Sequence, residues 1–161
     1  MTTHVLARGF RESDREELVT LLREYWAYLR VPLCFQGFEG EIANLPGEYA
    51  PPGGEMILAR ERATGALVGC VALRPVAGTP DMCEMKRLYV REAARGSGLG
   101  RTLALAAMAA GRSLGYRRMF LDTLPSLTAA QTLYRSLGFR QTGSGDGDPP
   151  VVLYECELGA V

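Results

Sequence analysis

The sequence has few of the residues from which metal sites and histidine-based catalytic sites are built. It contains one histidine, His4, and four scattered cysteines without a C-x-x-C pair: Cys34, Cys70, Cys83 and Cys156. Because a zinc site needs closely spaced Cys or His ligands, we expect no metal site. His4 lies near the terminus, which excludes most catalytic triads that depend on histidine. Thiols without paired spacing fit a reducing cytoplasmic compartment, where disulfides are rare.

The chain also has no long apolar run and no net charge. No segment reaches the ~20 consecutive apolar residues that cross a bilayer, and the first residues do not form the apolar core of a signal peptide. Eighteen Lys and Arg residues balance eighteen Asp and Glu residues. No overall field therefore attracts the chain to nucleic acid or to an anionic membrane, and we expect neither as a partner.

The remaining composition is typical of one soluble globular domain. Apolar residues make up 47% of the 161 residues and charged residues 22%, which suffices for a sizeable core. We predict a single domain over residues 1–161.

Apolar periods of two and 3.6 residues predict the secondary structure. The predicted strands are residues 4–10, 54–62, 66–76, 82–90, 116–123, 139–144 and 151–158. The predicted helices are residues 12–29, 38–45, 103–114 and 127–138. Ser13 and Glu16 have the spacing of a capping box at the start of the first helix. The element order predicts an α/β (α+β) fold, in which a mixed sheet carries helices on both faces.

One stretch, "RGSGLGRTL" at Arg95–Leu103, places three glycines at alternate positions between a predicted strand and a predicted helix. Glycines at a helix start let a phosphate group approach the backbone closely. A Walker loop is excluded because no lysine follows the glycines. A dinucleotide site is disfavoured because it needs G-x-G-x-x-G, although Asp122 ends the next strand, where an acidic ribose ligand belongs.

The remaining phosphate-binding interpretation is R-x-x-G-x-G, formed by Arg95, Gly98 and Gly100. Backbone amides at the positive end of the helix would then converge on a pyrophosphate. Arg101 and Thr102 would add a charge and a hydroxyl. Taken alone, the motif leaves a second interpretation open, a tight strand-to-helix turn that binds no ligand.

Two longer stretches resolve this choice by resemblance. They are "CEMKRLYVREAARGSGLGRTL" at residues 83–103 and "AAQTLYRSLGF" at residues 129–139. The first resembles the central motif of the GCN5-related N-acetyltransferase (GNAT) family, [RQ]-x-x-G-x-[GA] after a strand that ends in L-x-V, here Leu88–Val90. The second resembles the later signature of that family, A-x-x-L-Y-x-x-x-G-F. The resemblance covers residues 55–158. It implies the GNAT fold, with a mixed, mostly antiparallel central sheet of about seven strands.

The resemblance also implies an enzyme that moves the acetyl group of acetyl-CoA to a primary amine of a small molecule or a peptide. The pyrophosphate would lie at the glycine stretch, and the pantetheine amides would pair with the strand edge at Leu88–Val90. No metal takes part. Dimers are common in the family, so a homodimer is a compatible assembly. The implied acetyl-CoA contacts are Leu88, Tyr89, Val90, Arg95, Gly96, Ser97, Gly98, Leu99, Gly100, Arg101, Thr102 and Ala130.

Acetyl transfer to an amine needs a base for the ammonium proton and an acid for the departing thiolate. The resemblance implies Glu84 as the base, directly or through water, and Tyr134 as the acid. Two-residue periodicity predicts that Glu84 shares a strand face with Leu88 and Val90. The structural alternatives for Glu84 are a salt bridge to Lys86 or Arg87 and a solvated strand face, and the alternative for Tyr134 is a packing role for its ring. No cysteine has a histidine to activate it, so we expect direct attack in a ternary complex and no acyl-enzyme.

One position departs from the family pattern. Leu127 occupies the place, three residues before Ala130, where many members carry an Asn that contacts CoA or a bound water. No motif identifies the acceptor, and "LCFQGFEGE" at residues 33–41, with Tyr25 and Trp26, is a candidate for the lining of its pocket. Two other functions stay open: a non-catalytic module of the same fold that binds acyl-CoA, and a nucleotide-binding regulatory domain.

Overall fold

The computed structural model describes residues 3–31 and 37–159 of the chain. Within these residues, seven strands form one sheet: β1 His4–Arg8, β2 Glu55–Glu61, β3 Leu67–Val76, β4 Thr79–Val90, β5 Arg118–Thr123, β6 Arg140–Gly145 and β7 Val151–Glu157. The helices are α1 Arg15–Leu29, α2 Phe38–Ala43, α3 Leu99–Ser113 and α4 Thr128–Ser136. The strand order is β1-β2-β3-β4-β5-β7-β6, and every neighbouring pair is antiparallel except β4 and β5. The predicted mixed, mostly antiparallel sheet is confirmed.

Helices cover both faces of this sheet, as the element order predicts. On one face, Leu103 and Ala107 of α3 lie in a core that also holds Tyr154 of β7. On the other face, Leu22 and Trp26 of α1 lie in a second core. All five side chains are almost completely buried. Apolar burial of this kind stabilises a fold by roughly 25 cal/mol for each Å² removed from water.

The start of α1 differs from the predicted capping box. A short 3₁₀ turn over Glu12–Asp14 precedes the helix, and neither Ser13 nor Glu16 caps it. Instead, the buried carboxylate of Asp14 accepts a hydrogen bond of 3.1 Å from the backbone N–H of Arg11 and one of 2.9 Å from Nη2 of Arg60. Arg11 and Asp14 thus form the local cap of this turn, and the ion pair with Arg60 ties the turn to β2.

β4 is longer than predicted because the turn before it is shorter. The register pairs Val76 of β3 with Thr79 of β4, so the two strands are joined by Ala77 and Gly78 alone. The sequence suggested a five-residue turn over residues 77–81. The extra residues lengthen the antiparallel pair of β3 and β4 at the end of β4 that lies away from the glycine stretch.

A β-bulge interrupts β4 at Arg87. Cys70 of β3 pairs with Tyr89, whereas Ala72 pairs with Lys86, so β4 has one more residue than β3 over this interval. Arg87 has a φ of 60°, which is uncommon for a residue other than glycine. A bulge of this kind reverses the side-chain alternation of a strand.

The bulge corrects the predicted position of Glu84. Leu88 and Val90 face the core under α3, and Tyr89 faces the core under α1. Glu84 and Lys86 lie before the bulge and therefore share the face of Tyr89. The prediction that Glu84 shares a face with Leu88 and Val90 is wrong, because it assumed an uninterrupted two-residue period.

The parallel ladder between β4 and β5 is short. It pairs Met82–Glu84 with Arg118–Phe120 and ends there among the described residues. Beyond this ladder the two strands separate, and a cleft opens between the last part of β4 and the end of β5.

Candidate functional site

A cavity of about 560 Å³ occupies the cleft between β4 and β5. Its walls come from the last residues of α1, from Met85–Val90 of β4, from the glycine stretch, from Asp122–Leu124 and from the start of α4. A volume of this size is typical of sites that enclose a small ligand.

Most of the site residues predicted from the sequence line this cavity. They are Leu88, Tyr89, Val90, Arg95, Gly96, Gly98, Leu99, Gly100, Arg101, Ala130 and Tyr134. Glu84, Ser97 and Thr102 are not among the lining residues. The fold therefore brings together two motifs, residues 83–103 and 129–139, that are separated by 25 residues in the sequence.

The glycine stretch forms a turn that presents backbone amides. Gly96 and Gly98 have φ angles of 82° and 80°, which favour glycine, and α3 begins directly afterwards. The first hydrogen bond that closes the helix runs from the amide of Thr102 to the carbonyl of Gly98, at 3.0 Å. The amides of residues 99–101 precede it, at the positive end of the helix dipole. Such an arrangement suits an anion.

Two hydroxyl groups of this stretch bond to its own backbone. Ser97 Oγ donates to the carbonyl of Ala94 at 2.7 Å, and Thr102 Oγ1 donates to the carbonyl of Gly98 at 3.1 Å. Both protons therefore stabilise the turn. The ligand contacts that the sequence predicts for Ser97 and Thr102 stay predictions.

Two arginines add positive charge to the same end of the cavity. Arg95 Nε donates to the carbonyl of Val90 at 2.9 Å, and its guanidinium lies 4.7 Å from the ring centre of Tyr28. Arg101 donates from Nη1 to Ser136 Oγ at 2.9 Å. Both side chains line the cavity. These contacts hold both guanidinium groups in the cavity wall.

Tyr134 lies at the other end of the cavity wall. Its ring packs edge-on against Phe139, with 5.8 Å between the ring centres, and next to Tyr154. Burial raises the pKa of Tyr134 further above its ordinary value, and the nearby charge of Asp122 adds to this effect. The hydroxyl therefore keeps its proton at neutral pH, as a general acid must.

Glu84 lies behind the cavity wall, in a salt bridge. Arg74 Nε donates to its Oε1 at 3.0 Å, and Lys86 Nζ lies 3.7 Å from its Oε2. The alternative of a salt bridge to Lys86 is thus observed. The role of Glu84 as a base stays a prediction.

Comparison with known proteins identifies the family of this chain. Residues 15–139 match the model of the acetyltransferase (GNAT) family. The chain belongs to the GNAT family. Its relatives include an uncharacterized N-acetyltransferase of Schizosaccharomyces pombe, 42% identical over 142 residues, which are 88% of this chain and 86% of that protein. The uncharacterized N-acetyltransferase YjgM of Escherichia coli is 41% identical over 76 residues, 47% of this chain and 46% of YjgM.

Solved GNAT structures share the fold. An acetyltransferase of Staphylococcus aureus aligns with a TM-score of 0.80 at 19% identity, covering 96% of this chain and all of that one. The acetyltransferase yncA of Salmonella typhimurium, solved with acetyl-CoA, aligns with a TM-score of 0.78 at 18% identity, covering 98% of this chain and 96% of its own. At these identities the likeness concerns the fold alone. The predicted GNAT family and fold are confirmed.

The GNAT cavity contains two charged groups to which the sequence reasoning assigned no role in this site. Lys86 and Asp122 both line it, and Lys86 Nζ lies 3.6 Å from Asp122 Oδ1. Burial lowers the pKa of Lys86, while Asp122 and Glu84 oppose this effect. The signal that could have found the pair is the parallel alignment of β4 with β5, which brings residues 36 positions apart side by side.

Arg87, at the bulge, ties α2 to the cavity wall. Its Nε and Nη2 donate to the two carboxylate oxygens of Glu41, each at 2.7 Å. Tyr49 donates its hydroxyl to the same carboxylate at 2.8 Å. The guanidinium also lies 4.7 Å from the ring of Trp26, on which Phe38 stacks. Bidentate pairing and a cation–π contact together fix the geometry of the bulge.

The acceptor side is described only in part. Residues 33–36 of the stretch proposed to line the acceptor pocket lie outside the described residues. Tyr25 lines the cavity, whereas Trp26 is a buried core residue. Leu127, which replaces the Asn of many GNAT members, lines the cavity with its neighbours at the start of α4.

Among residues 3–31 and 37–159, no cluster of three or more His, Cys, Asp or Glu side chains could hold a metal ion. In the same residues, no helix has both the length and the apolar character to cross a membrane.

Proposed function

We propose that this protein is an N-acetyltransferase that moves the acetyl group of acetyl-CoA to a primary amine by direct attack in a ternary complex. The observation that most supports the proposal is a single cavity that extends from the glycine turn at Gly96–Gly100 to Tyr134. A turn suited to phosphate and a proton donor thus share one cleft, in a chain of the GNAT family.

The donor end of the cavity has the charge and geometry for a pyrophosphate. The amides of residues 99–101 lie at the start of α3, and Arg95 and Arg101 line the same wall. An anion there gains hydrogen bonds, the helix dipole and two positive charges. Among the described residues, no strand pairs with Leu88–Val90 on the side of β4 that faces β5, so the pantetheine amides can join this edge as an added strand, beside the Val90 carbonyl that accepts from Arg95.

The chemistry requires two proton movements. An alkyl ammonium with a pKa near ~10 must lose a proton before its nitrogen attacks the thioester carbon. The family resemblance implies Glu84 as the base, directly or through water; because Glu84 does not line the cavity, its position supports the route through water. When the C–S bond breaks, the hydroxyl of Tyr134 gives its proton to the departing thiolate. Burial keeps that hydroxyl protonated by raising its pKa.

The thiols support direct attack and a cytoplasmic location, which we also propose. Cys70, Cys83 and Cys156 are free, a state that a reducing compartment maintains. Burial raises the pKa of Cys83 to about 12. Its thiol therefore carries almost no thiolate at neutral pH and is a poor nucleophile for an acyl-enzyme.

The test is acceptor-dependent release of free thiol from acetyl-CoA. The panel contains the twenty amino acids, a lysine-containing peptide, spermidine and phosphinothricin. The last two are included because the fold aligns with a spermidine N-acetyltransferase chimera (TM-score 0.77, 16% identity) and with a phosphinothricin N-acetyltransferase (TM-score 0.77, 18% identity). Reactions without acceptor measure hydrolysis, and calorimetry measures CoA binding separately.

We expect one or more amines to accelerate thiol release and to yield an acetylated product by mass spectrometry. Tight CoA binding without acceptor-dependent release would contradict the enzyme and favour the acyl-CoA-binding module. Preferential binding of ATP or NAD over CoA would contradict both and favour the nucleotide-binding domain.

A further inference from the structure

The ion pair of Lys86 and Asp122 lies where β4 and β5 separate. The last pair of the parallel ladder is Glu84 with Phe120. Two residues further along each strand, on the same face, Lys86 and Asp122 bridge the opening, with Nζ and Oδ1 3.6 Å apart. The pair therefore forms the floor of the cleft at the point where the strands part.

Asp122 is the carboxylate that faces the cavity. Among the described residues that line it, no other carries a carboxylate. The side chain of Asp122 is 22% exposed, against 11% for Glu84. Arg74 Nε also donates to Glu84 at 3.0 Å, so the Glu84 carboxylate is held on two sides by cations and lies behind Lys86.

We infer that Asp122 is the general base of the acetyl transfer, and that Lys86 is a positioning residue that holds its carboxylate at the mouth of the strand opening. The inference rests on the proposed N-acetyltransferase function and assigns to Asp122 the direct contact with the acceptor amine. Glu84 is then not the base. It holds Lys86, whose Nζ lies 3.7 Å from Glu84 and 3.6 Å from Asp122.

The groups of this cavity account for every proton and bond of the acetyl transfer. Asp122 takes one proton from the acceptor ammonium and later releases it to solvent. The free nitrogen attacks the acetyl carbon, an N–C bond forms, and the C–S bond breaks. Tyr134 gives its hydroxyl proton to the thiolate and recovers the second proton, which the newly acylated nitrogen sheds. The products are the amide, CoA thiol and one proton.

Electrostatics link the base to the acid across the cavity. The titratable groups that interact with Asp122 are Lys86 from β4, Tyr25 from α1 and Tyr134 from α4. Burial raises the pKa of Tyr25 to about 12, and burial also raises that of Tyr134; the charge of Asp122 adds to both effects. Both hydroxyls therefore remain protonated at neutral pH, so each can donate a proton or a hydrogen bond toward the reacting atoms.

The test compares Asp122→Asn with Glu84→Gln, two changes that each remove one carboxylate charge and keep the side-chain shape. Steady-state rates are measured with acetyl-CoA and the fastest acceptor of the amine panel. We expect Asp122→Asn to lower kcat/KM by about 10²- to 10⁴-fold. We expect Glu84→Gln to lower it less than tenfold. Calorimetry should give CoA affinities within threefold of the unaltered protein for both variants.

The pH dependence of kcat/KM distinguishes a catalytic role of Asp122 from a structural one. In the unaltered protein, log(kcat/KM) falls at low pH as the base becomes protonated. In Asp122→Asn this fall should move to the pKa of the acceptor ammonium itself, near ~10 for an alkyl amine. Asp122→Glu should recover at least tenfold of the rate that Asp122→Asn loses.

Several results would overturn the inference. The first is a kcat/KM for Asp122→Asn within threefold of the unaltered protein. The second is that the fall of log(kcat/KM) at low pH disappears in Glu84→Gln alone. The third is a loss of kcat/KM in Asp122→Asn that weaker CoA binding explains. If Asp122→Asn does not fold, the double variant Lys86→Gln/Asp122→Asn removes both charges and must show the same loss. Absence of turnover by the unaltered protein would refute the proposed function and this inference together, whereas turnover unaffected by Asp122→Asn would refute the inference alone.

Discussion

Replacing Glu41 by Gln removes the carboxylate that holds α2 against the bulge of β4. The change keeps the size of the side chain and one carbonyl oxygen. It takes away the negative charge and one of the two oxygens that accept from Arg87, each at 2.7 Å. The hydrogen bond from the hydroxyl of Tyr49 to this carboxylate is weakened as well.

The burial of this pair determines the expected loss of stability in Glu41→Gln. The side chains of Arg87 and Glu41 are 3% and 14% exposed. Removal of one partner of a buried ion pair costs about 3–5 kcal/mol, because the other charge stays in a poorly solvated place. Arg87 keeps its contact with the ring of Trp26, so we expect the lower end, about 3 kcal/mol. For a chain of this size, that lowers the melting temperature by about 6–12 °C.

Thermal unfolding monitored by circular dichroism measures the effect, and the same helix offers a matched control. Glu39 of α2 pairs with Arg23 at 2.8 Å, but the side chains of Arg23 and Glu39 are 50% and 58% exposed. Glu39→Gln should leave the melting temperature almost unchanged. Equal melting temperatures for Glu41→Gln and Glu39→Gln would refute the view that the buried pair anchors α2.

The same pair predicts a dependence on pH. Burial alone would raise the pKa of Glu41, but the hydrogen bonds and charge of Arg87 outweigh it and hold the pKa below its ordinary value. The stabilisation is therefore complete above about pH 4.3, the value in the unfolded chain, and is lost as the pH falls through the lower pKa of the folded state. The stability difference between the unaltered protein and Glu41→Gln should be constant near neutral pH and should shrink below about pH 4.

Three further predictions use single substitutions. Gly98→Ala places an alanine at a φ of 80° and should cost about 1–2 kcal/mol of stability. At Gly100 no atom lies nearer than 4.0 Å to the new Cβ, so Gly100→Ala should keep its stability in a melting experiment and weaken acetyl-CoA binding in calorimetry. Gly54→Ala brings the new Cβ against the backbone and should cost about 1–3 kcal/mol of stability or more. At Gly53 the nearest atom to a new Cβ is 3.5 Å away, so Gly53→Ala should be tolerated. Equal melting temperatures for the two variants would contradict this difference. Tyr134→Phe should lower kcat by about 10²-fold with unchanged CoA affinity and stability, and an unchanged kcat would remove it as the acid.

The features that could be predicted from the sequence are those with a local cause. The apolar period of α4 was predicted over residues 127–138 and observed over Thr128–Ser136, because one face of that helix packs in the core. The glycine turn could be predicted because Gly96 and Gly98 adopt φ angles that few other residues adopt. In both cases the residue type itself carries the conformational preference.

The features that could not be predicted depend on partners far away in the sequence. An arginine does not favour a positive φ, yet Arg87 adopts one where its guanidinium pairs with Glu41, 46 residues earlier. The bulge then reverses the face of Glu84, which no local pattern indicates. Asp122 reaches Lys86 only through the parallel ladder of β4 and β5.

That short ladder gives the two edges of β4 different partners. On the side of β3, β4 stays paired from Thr79 to Val90, across the bulge at Arg87. On the side of β5, the pairing ends at Glu84, so the next six residues of β4, roughly 20 Å of strand, border the cleft. The cleft wall is therefore supported by β3, and a substitution in β3 that never touches a ligand can shift this wall through the strand pairing.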